Sequence, residues 1–125
     1  MRYLNAALCL LMLLAAGVQL NDPDGALWVA IYAVPALWAG LAAWRPRLLA
    51  GGASRALLLA CLAAAVLGVV RYWPDTPRWW ASEVWYATET AREGMGMMIV
   101  ALVLLVVWAG TRRQAASEPA SRTAA

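Results

Sequence analysis

A chain of 125 residues with 64% hydrophobic content and a formal charge of +3 has the length of one domain, and its apolar share is far above the roughly 45–50% of soluble domains. The composition therefore predicts an integral membrane protein in contact with the lipid bilayer. All ten basic residues are Arg and lie at the ends of apolar segments, which argues against nucleic-acid binding. The absence of His and of a Cys-x-x-Cys pair argues against a thiolate zinc site and a thiol oxidoreductase.

Four apolar segments follow one another, at about residues 3–20, 26–44, 55–73 and 93–110. Each approaches the length of about 20 residues that crosses a hydrocarbon core about 30 Å thick. For the first segment a cleaved signal peptide is the alternative, although its apolar run exceeds the roughly 7–15 residues usual there. Residues 1–112 are predicted to form one transmembrane domain, and residues 113–125, which are polar and rich in small side chains, a disordered cytoplasmic tail.

The stretch from Arg78 to Arg92 is dense in Trp, Tyr and charge. On a helical wheel its apolar and acidic residues separate, which predicts a short amphipathic helix at the membrane interface before the fourth span. One unbroken helix from Pro77 to Gly110 would be about 50 Å long, so we expect a bend at Gly94 or Gly96. The predicted fold is an all-α, integral membrane four-helix bundle.

The Arg residues predict the orientation of the bundle. With both termini on one side, seven Arg fall there and three on the other side; by the positive-inside rule the first side is cytoplasmic. Six of the seven acidic residues then lie outside. The many Ala and Arg residues and the absence of Lys are typical of a GC-rich bacterial genome, so the expected location is the plasma membrane, as the bacterial inner membrane.

Two polar stretches fall at the outer end of the bundle, namely residues 19–25 between the first two spans and residues 89–93 at the start of the fourth. Asp22 is the expected helix N-cap, with Pro23 as the first helical residue. A carboxylate within the membrane normally faces a wet cavity and has a cationic partner, for which Arg92 and Arg71 are available. The residues predicted to form the pocket are Gln19, Asn21, Asp22, Arg71, Glu89, Arg92 and Glu93. The alternative is an ion-pair network that only fastens the helices together.

The predicted ligand of this pocket is a small polar molecule, an ion or a lipid headgroup. No catalytic residue, metal ion or cofactor is predicted, because neither a calcium-binding loop nor a Gly-rich phosphate loop is present. One alternative is an assembly subunit without a ligand, whose lipid-facing surfaces contact a membrane-protein partner or a second copy of the chain. A membrane enzyme with Glu89 or Glu93 as general base ranks last, since no nucleophile with an adjacent base is visible.

The two polar stretches also carry a family resemblance. Gln19-Leu20-Asn21-Asp22-Pro23-Asp24, followed by Trp28 and Tyr32 and later by Glu89 and Arg92-Glu93-Gly94, resembles the transmembrane protein 220 family, small four-span membrane proteins of bacteria and animals. The similarity runs from about Arg2 to Gly110, and the Asn-Asp-Pro-Asp string is its most specific part. It implies a four-helix membrane protein and brings no reaction, substrate or residue role with it.

Overall fold

The protein is all-α in a computed structural model that describes residues 1–123, and the side chains of residues 1–118. Its helices are α1 (Arg2–Val18), α2 (Gly25–Trp44), α3 (Gly52–Arg71), α4 (Ser82–Ala87) and α5 (Glu89–Thr123). Four of them, all except α4, are long and apolar enough to cross a membrane. The predicted all-α membrane bundle is therefore confirmed.

The helices do not pack in the order of the chain. α1 packs chiefly on α2, which follows it directly, whereas α3 packs chiefly on α5. Contacts between α2 and α5 join these two pairs, so α2 and α5 are central and α1 and α3 are peripheral. The core contains fully buried side chains such as Met12, Leu58 and Leu104. Most of the surface of α3 is left uncovered, as expected of a helix that faces lipid or a partner helix.

The chain before α5 differs from the prediction. Instead of one amphipathic helix over residues 78–92, the structure has turns up to Ala81 and the six-residue helix α4. Thr88 is extended, at φ −96° and ψ 126°, and its carbonyl accepts the first backbone hydrogen bond of α5, from Arg92 at 3.1 Å. The predicted bend therefore lies at Thr88, and the placement of the bend at Gly94 or Gly96 was wrong, because both glycines lie inside α5.

A cluster of indole rings holds this segment against the end of α3. Trp73 packs against Trp79 and Trp85, with both centroid distances at 5.3 Å. The indole N–H of Trp85 also donates to the carbonyl of Trp79 at 2.7 Å. The turns before α4 are therefore packed against one another through their indole rings, although they are exposed.

The end of α5 also differs from the prediction. A disordered tail was predicted for residues 113–125, whereas α5 continues to Thr123; residues 124 and 125 lie outside the described part of the chain. Extending a helix is much more favourable in free energy than nucleating one. Gln114, Ala115 and Ala116 are also good helix formers. A polar composition alone therefore did not end the helix.

Candidate functional site

A pocket of about 310 Å³ lies between the α1–α2 connection and the first turns of α5. We call this end of the bundle the hinge end, defined by residues 19–25 and 72–93. Four of the lining residues are acidic, one is basic and two are aromatic. The lining consists of Gln19, Asp22, Pro23, Asp24, Trp28, Tyr32, Glu89, Arg92 and Glu93.

The α1–α2 connection turns tightly to form one wall of this pocket. A 3₁₀-helix over Gln19–Asn21 follows α1, and the backbone N–H of Asp22 donates to the Gln19 carbonyl at 3.1 Å. The Asp22 carbonyl then accepts from the N–H of Gly25 at 3.0 Å. A Cβ atom at Gly25 would overlap the carbonyl oxygen of Gln19. Only glycine therefore allows α2 to begin this close to the end of α1.

The capping of α2 differs from the prediction. The N-cap of α2 is Asp24 and not Asp22, and the first helical residue is Gly25 and not Pro23. The Asp24 carboxylate caps no backbone group; its Oδ2 accepts the indole N–H of Trp28 at 3.0 Å. The tight turn over residues 22–25 is the reason, since it delays the start of the helix. Both aspartates consequently line the pocket.

The floor of the pocket comes from one face of α2. Asp24, Trp28 and Tyr32 follow one another at intervals of four residues, which places them one above the other on a helix. Trp28 and Tyr32 are 4% and 8% exposed, and their ring centroids are 5.9 Å apart. The Tyr32 hydroxyl lies so close to Gly96 that a Cβ atom there would overlap it. The aromatic floor is therefore fixed between α2 and α5.

The opposite wall is the first turn of α5, which carries Glu89, Arg92 and Glu93. Gly94 allows this turn to approach the end of α3, since a Cβ atom there would lie 2.7 Å from the Tyr72 carbonyl oxygen. Glu93 is half-buried, and its carboxylate lies near the Trp28 indole, whose N–H donates to Asp24. Carboxylates from α5 and from the α2 N-terminus thus converge on one indole.

The electrostatics of the pocket are dominated by negative charge. Glu93 experiences repulsion from Glu89 and Asp24 and attraction from Arg71. Among the side chains of residues 1–118, no ion pair neutralises the four carboxylates of the lining. The described residues also contain no group of three or more His, Cys, Asp or Glu that could hold a metal ion. The pocket therefore has uncompensated carboxylates that are spread around its walls.

Five of the seven predicted residues line this pocket, namely Gln19, Asp22, Glu89, Arg92 and Glu93. Asn21 is exposed at the end of the 3₁₀-helix and lies outside the lining. Arg71 is exposed as well, and its guanidinium lies over the Tyr72 ring, 5.7 Å from the centroid. Asn21 and Arg71 therefore do not contribute to the pocket lining.

Four lining residues were absent from the predicted set, namely Pro23, Asp24, Trp28 and Tyr32. Asp24, Trp28 and Tyr32 stand in the string that carries the family resemblance, but that resemblance brings no residue role with it. The four-residue spacing of Asp24, Trp28 and Tyr32 is the signal that could have identified these three, because it places them on one face of α2 next to residues 19–25.

Comparison with protein families adds to this geometry. The family model described as "Transmembrane family 220, helix" matches residues 11–109, a range that includes every residue of the pocket lining. No solved structure matches the chain.

Proposed function

The chain belongs to transmembrane family 220, which confirms the resemblance, and from this premise we propose that it is a membrane protein whose hinge-end pocket binds a small polar ligand, an ion or a lipid headgroup. One observation carries the proposal, namely a pocket of about 310 Å³ with four carboxylates, one guanidinium and an aromatic floor. Charged groups within membrane segments are costly and usually serve binding or transport. A purely structural network would pair its charges, and these carboxylates lack such partners among residues 1–118.

We propose that the pocket opens to the outside of the cell. Seven of the ten Arg lie at the opposite end of the bundle or beside the termini, which supports cytoplasmic termini by the positive-inside rule. The composition supports the bacterial inner membrane as the location. An outer pocket would meet its ligand in the external medium or in the outer leaflet of the bilayer.

A thermal-unfolding screen tests the proposed function. The full chain in lipid nanodiscs would be heated with small polar compounds, inorganic ions and lipids of different headgroups. A ligand at 100 times its Kd would stabilise the protein by about 2.7 kcal/mol. We expect the stabilisation to be lost in Glu93→Gln and kept in Glu83→Gln, which makes the same change at an exposed residue outside the lining.

A second candidate is an assembly subunit without a ligand, and the uncovered surface of α3 favours it. In that case no compound in the screen would raise the unfolding temperature. Substitutions on the lipid-facing side of α3, such as Leu67→Ala at an exposed position, would instead dissociate a complex in native gels. This pair of results would replace the binding proposal with the assembly role.

A further inference from the structure

The charge of the pocket limits the chemistry of its ligand. The lining holds Asp22, Asp24, Glu89 and Glu93 against the single guanidinium of Arg92. When all five groups are ionised, the negative charges exceed the positive charge by three. In the partly desolvated pocket this excess is weakly screened. A ligand that enters it with favourable electrostatics therefore carries positive charge.

The arrangement of these carboxylates does not match a compact metal ion. Calcium and magnesium require about six or more oxygen ligands around one point, whereas the described residues contain no acidic group of three or more that could hold a metal ion. The four carboxylates lie on different walls, two in the α1–α2 connection and two on the first turn of α5. Negative charge distributed in this way complements a larger cation whose charge is spread over several atoms.

The floor favours an organic cation for a separate reason. The faces of Trp and Tyr rings attract ammonium groups, and Trp28 and Tyr32 present two such rings with centroids 5.9 Å apart and planes tilted by 37°. The hydrogen bond from Trp28 to Asp24 at 3.0 Å fixes the orientation of the indole. Both rings are more than nine-tenths buried, so they are held in place before any ligand arrives.

The Tyr32 hydroxyl adds a hydrogen-bonding group to the floor of the pocket. The side chain is 8% exposed and lines the pocket, yet its hydroxyl forms no hydrogen bond with any described residue. The oxygen atom itself is accessible, since the buried side-chain polar atoms without a partner among the described residues are Asn5 Oδ1 and Arg55 Nε. This hydroxyl therefore offers a hydrogen bond to whatever occupies the floor of the pocket.

We propose that the hinge-end pocket binds an organic ammonium ion, with the cationic group over Trp28 and Tyr32 and the carboxylates of Asp24 and Glu93 beside it. The inference rests on the proposed function and adds the chemical class of the ligand. The volume of about 310 Å³ is at the lower end of ligand pockets, about 300–1,000 Å³, and matches a small amine or one lipid headgroup. The ammonium can therefore belong to a free amine or to a lipid.

Calorimetric titration of the full chain tests this inference. In nanodiscs of phosphatidylglycerol alone, the protein would be titrated with choline and with tetramethylammonium, and in parallel with sodium and calcium chloride at matched ionic strength. We expect saturable binding of both organic cations. Glu93→Gln should weaken it by roughly tenfold or more, as for the loss of a charged partner, and Glu83→Gln should leave it unchanged.

The variant Tyr32→Phe separates the ring from the hydroxyl. It keeps the aromatic face and removes the hydrogen-bonding group. Choline, which carries a hydroxyl group, should bind several-fold more weakly to this variant, whereas tetramethylammonium should bind as it does to the unmodified protein. Equal weakening of both cations would contradict the placement of the ammonium over the rings.

A second bilayer composition distinguishes the two sources of the ammonium. If lipid headgroups fill the pocket, nanodiscs of phosphatidylcholine will suppress the binding of added choline. If the ligand is a free amine, binding will be the same in both bilayers. Either result supports an ammonium site and identifies its source.

Three results would overturn the inference. Binding of calcium or of an anion, without an organic cation, would reject the ligand class and leave the proposed function intact. Equal losses of organic-cation binding in Glu93→Gln and Glu83→Gln would show a general effect of charge and no ammonium site. If nothing bound and the thermal screen also found no ligand, the proposed function would fall as well. The comparison of cations uses the unmodified protein, so it tests the class of the ligand even if a variant does not fold.

Discussion

Glu93 shows how a single residue can favour binding at the expense of stability. Its half-buried carboxylate faces Glu89 and Asp24 without an ion-pair partner among residues 1–118. We expect Glu93→Gln to leave the ligand-free protein as stable as before or more stable by about 0.5 kcal/mol, because repulsion between partly solvated charges is modest. Chemical unfolding in detergent measures this. A clear loss of stability would instead indicate that Glu93 fastens the bundle.

Gly96 determines where the Tyr32 hydroxyl lies. A Cβ atom at Gly96 would overlap this hydroxyl, whereas the next ring atom of Tyr32 is 3.4 Å away. We expect Gly96→Ala to destabilise the protein by about 1–3 kcal/mol, as overpacking does, and to cost much less in the Tyr32→Phe background. A double-mutant cycle of unfolding free energies checks the coupling, and additive effects would contradict this contact.

At the level of elements, the start of α5 depends on its approach to the end of α3. A Cβ atom at Gly94 would lie 2.7 Å from the Tyr72 carbonyl oxygen, and a backbone atom cannot yield as a side chain does. Gly94→Ala should therefore displace the turn that carries Glu89, Arg92 and Glu93, and lower both stability and ligand binding. Unfolding and binding of the same sample would measure both effects.

The matched control lies in the same helix. A Cβ atom at Gly110 would meet only the terminal methyl of Met1, at 3.2 Å, which is the end of a flexible side chain. We expect Gly110→Ala to be neutral or stabilising by up to about 1 kcal/mol, since Ala is the better helix former. If both variants lost the same stability, the close approach at Gly94 would not be what positions α5.

The elements also show which features the sequence can predict. The spans follow from hydrophobicity and length, because the bilayer imposes both. Their packing order does not follow, since four similarly apolar helices offer many equivalent faces. The charged residues of the pocket stand out because charge is rare within spans. Trp28 and Tyr32 do not stand out, because aromatic residues at a membrane interface are ordinary. Asn21 lies outside the pocket lining because of a turn that the sequence does not specify.

For the whole molecule, the orientation in the membrane is the central prediction. With Cys9 and Cys61 replaced by Ala, a single Cys at position 83 or at position 50 would report its side of the membrane. We expect a membrane-impermeant thiol reagent to label Glu83→Cys in intact cells, and Ala50→Cys only after permeabilisation, because seven Arg favour the cytoplasmic side at residue 50. The reverse pattern would place the pocket inside the cell.

The packing order has a consequence for how the protein is made. The α1–α2 pair can form as soon as its two helices have entered the membrane, but α3 finds its main neighbour only when α5 arrives. The pocket takes one wall from the first hairpin and the other from the last helix. A nascent chain that stops before α5 would have the α1–α2 interface but neither interface with α5, and its pocket would lack the wall that carries Glu89, Arg92 and Glu93. Ligand binding therefore requires α5 to be in place, and a bound ligand would contact both an early and a late segment of the chain.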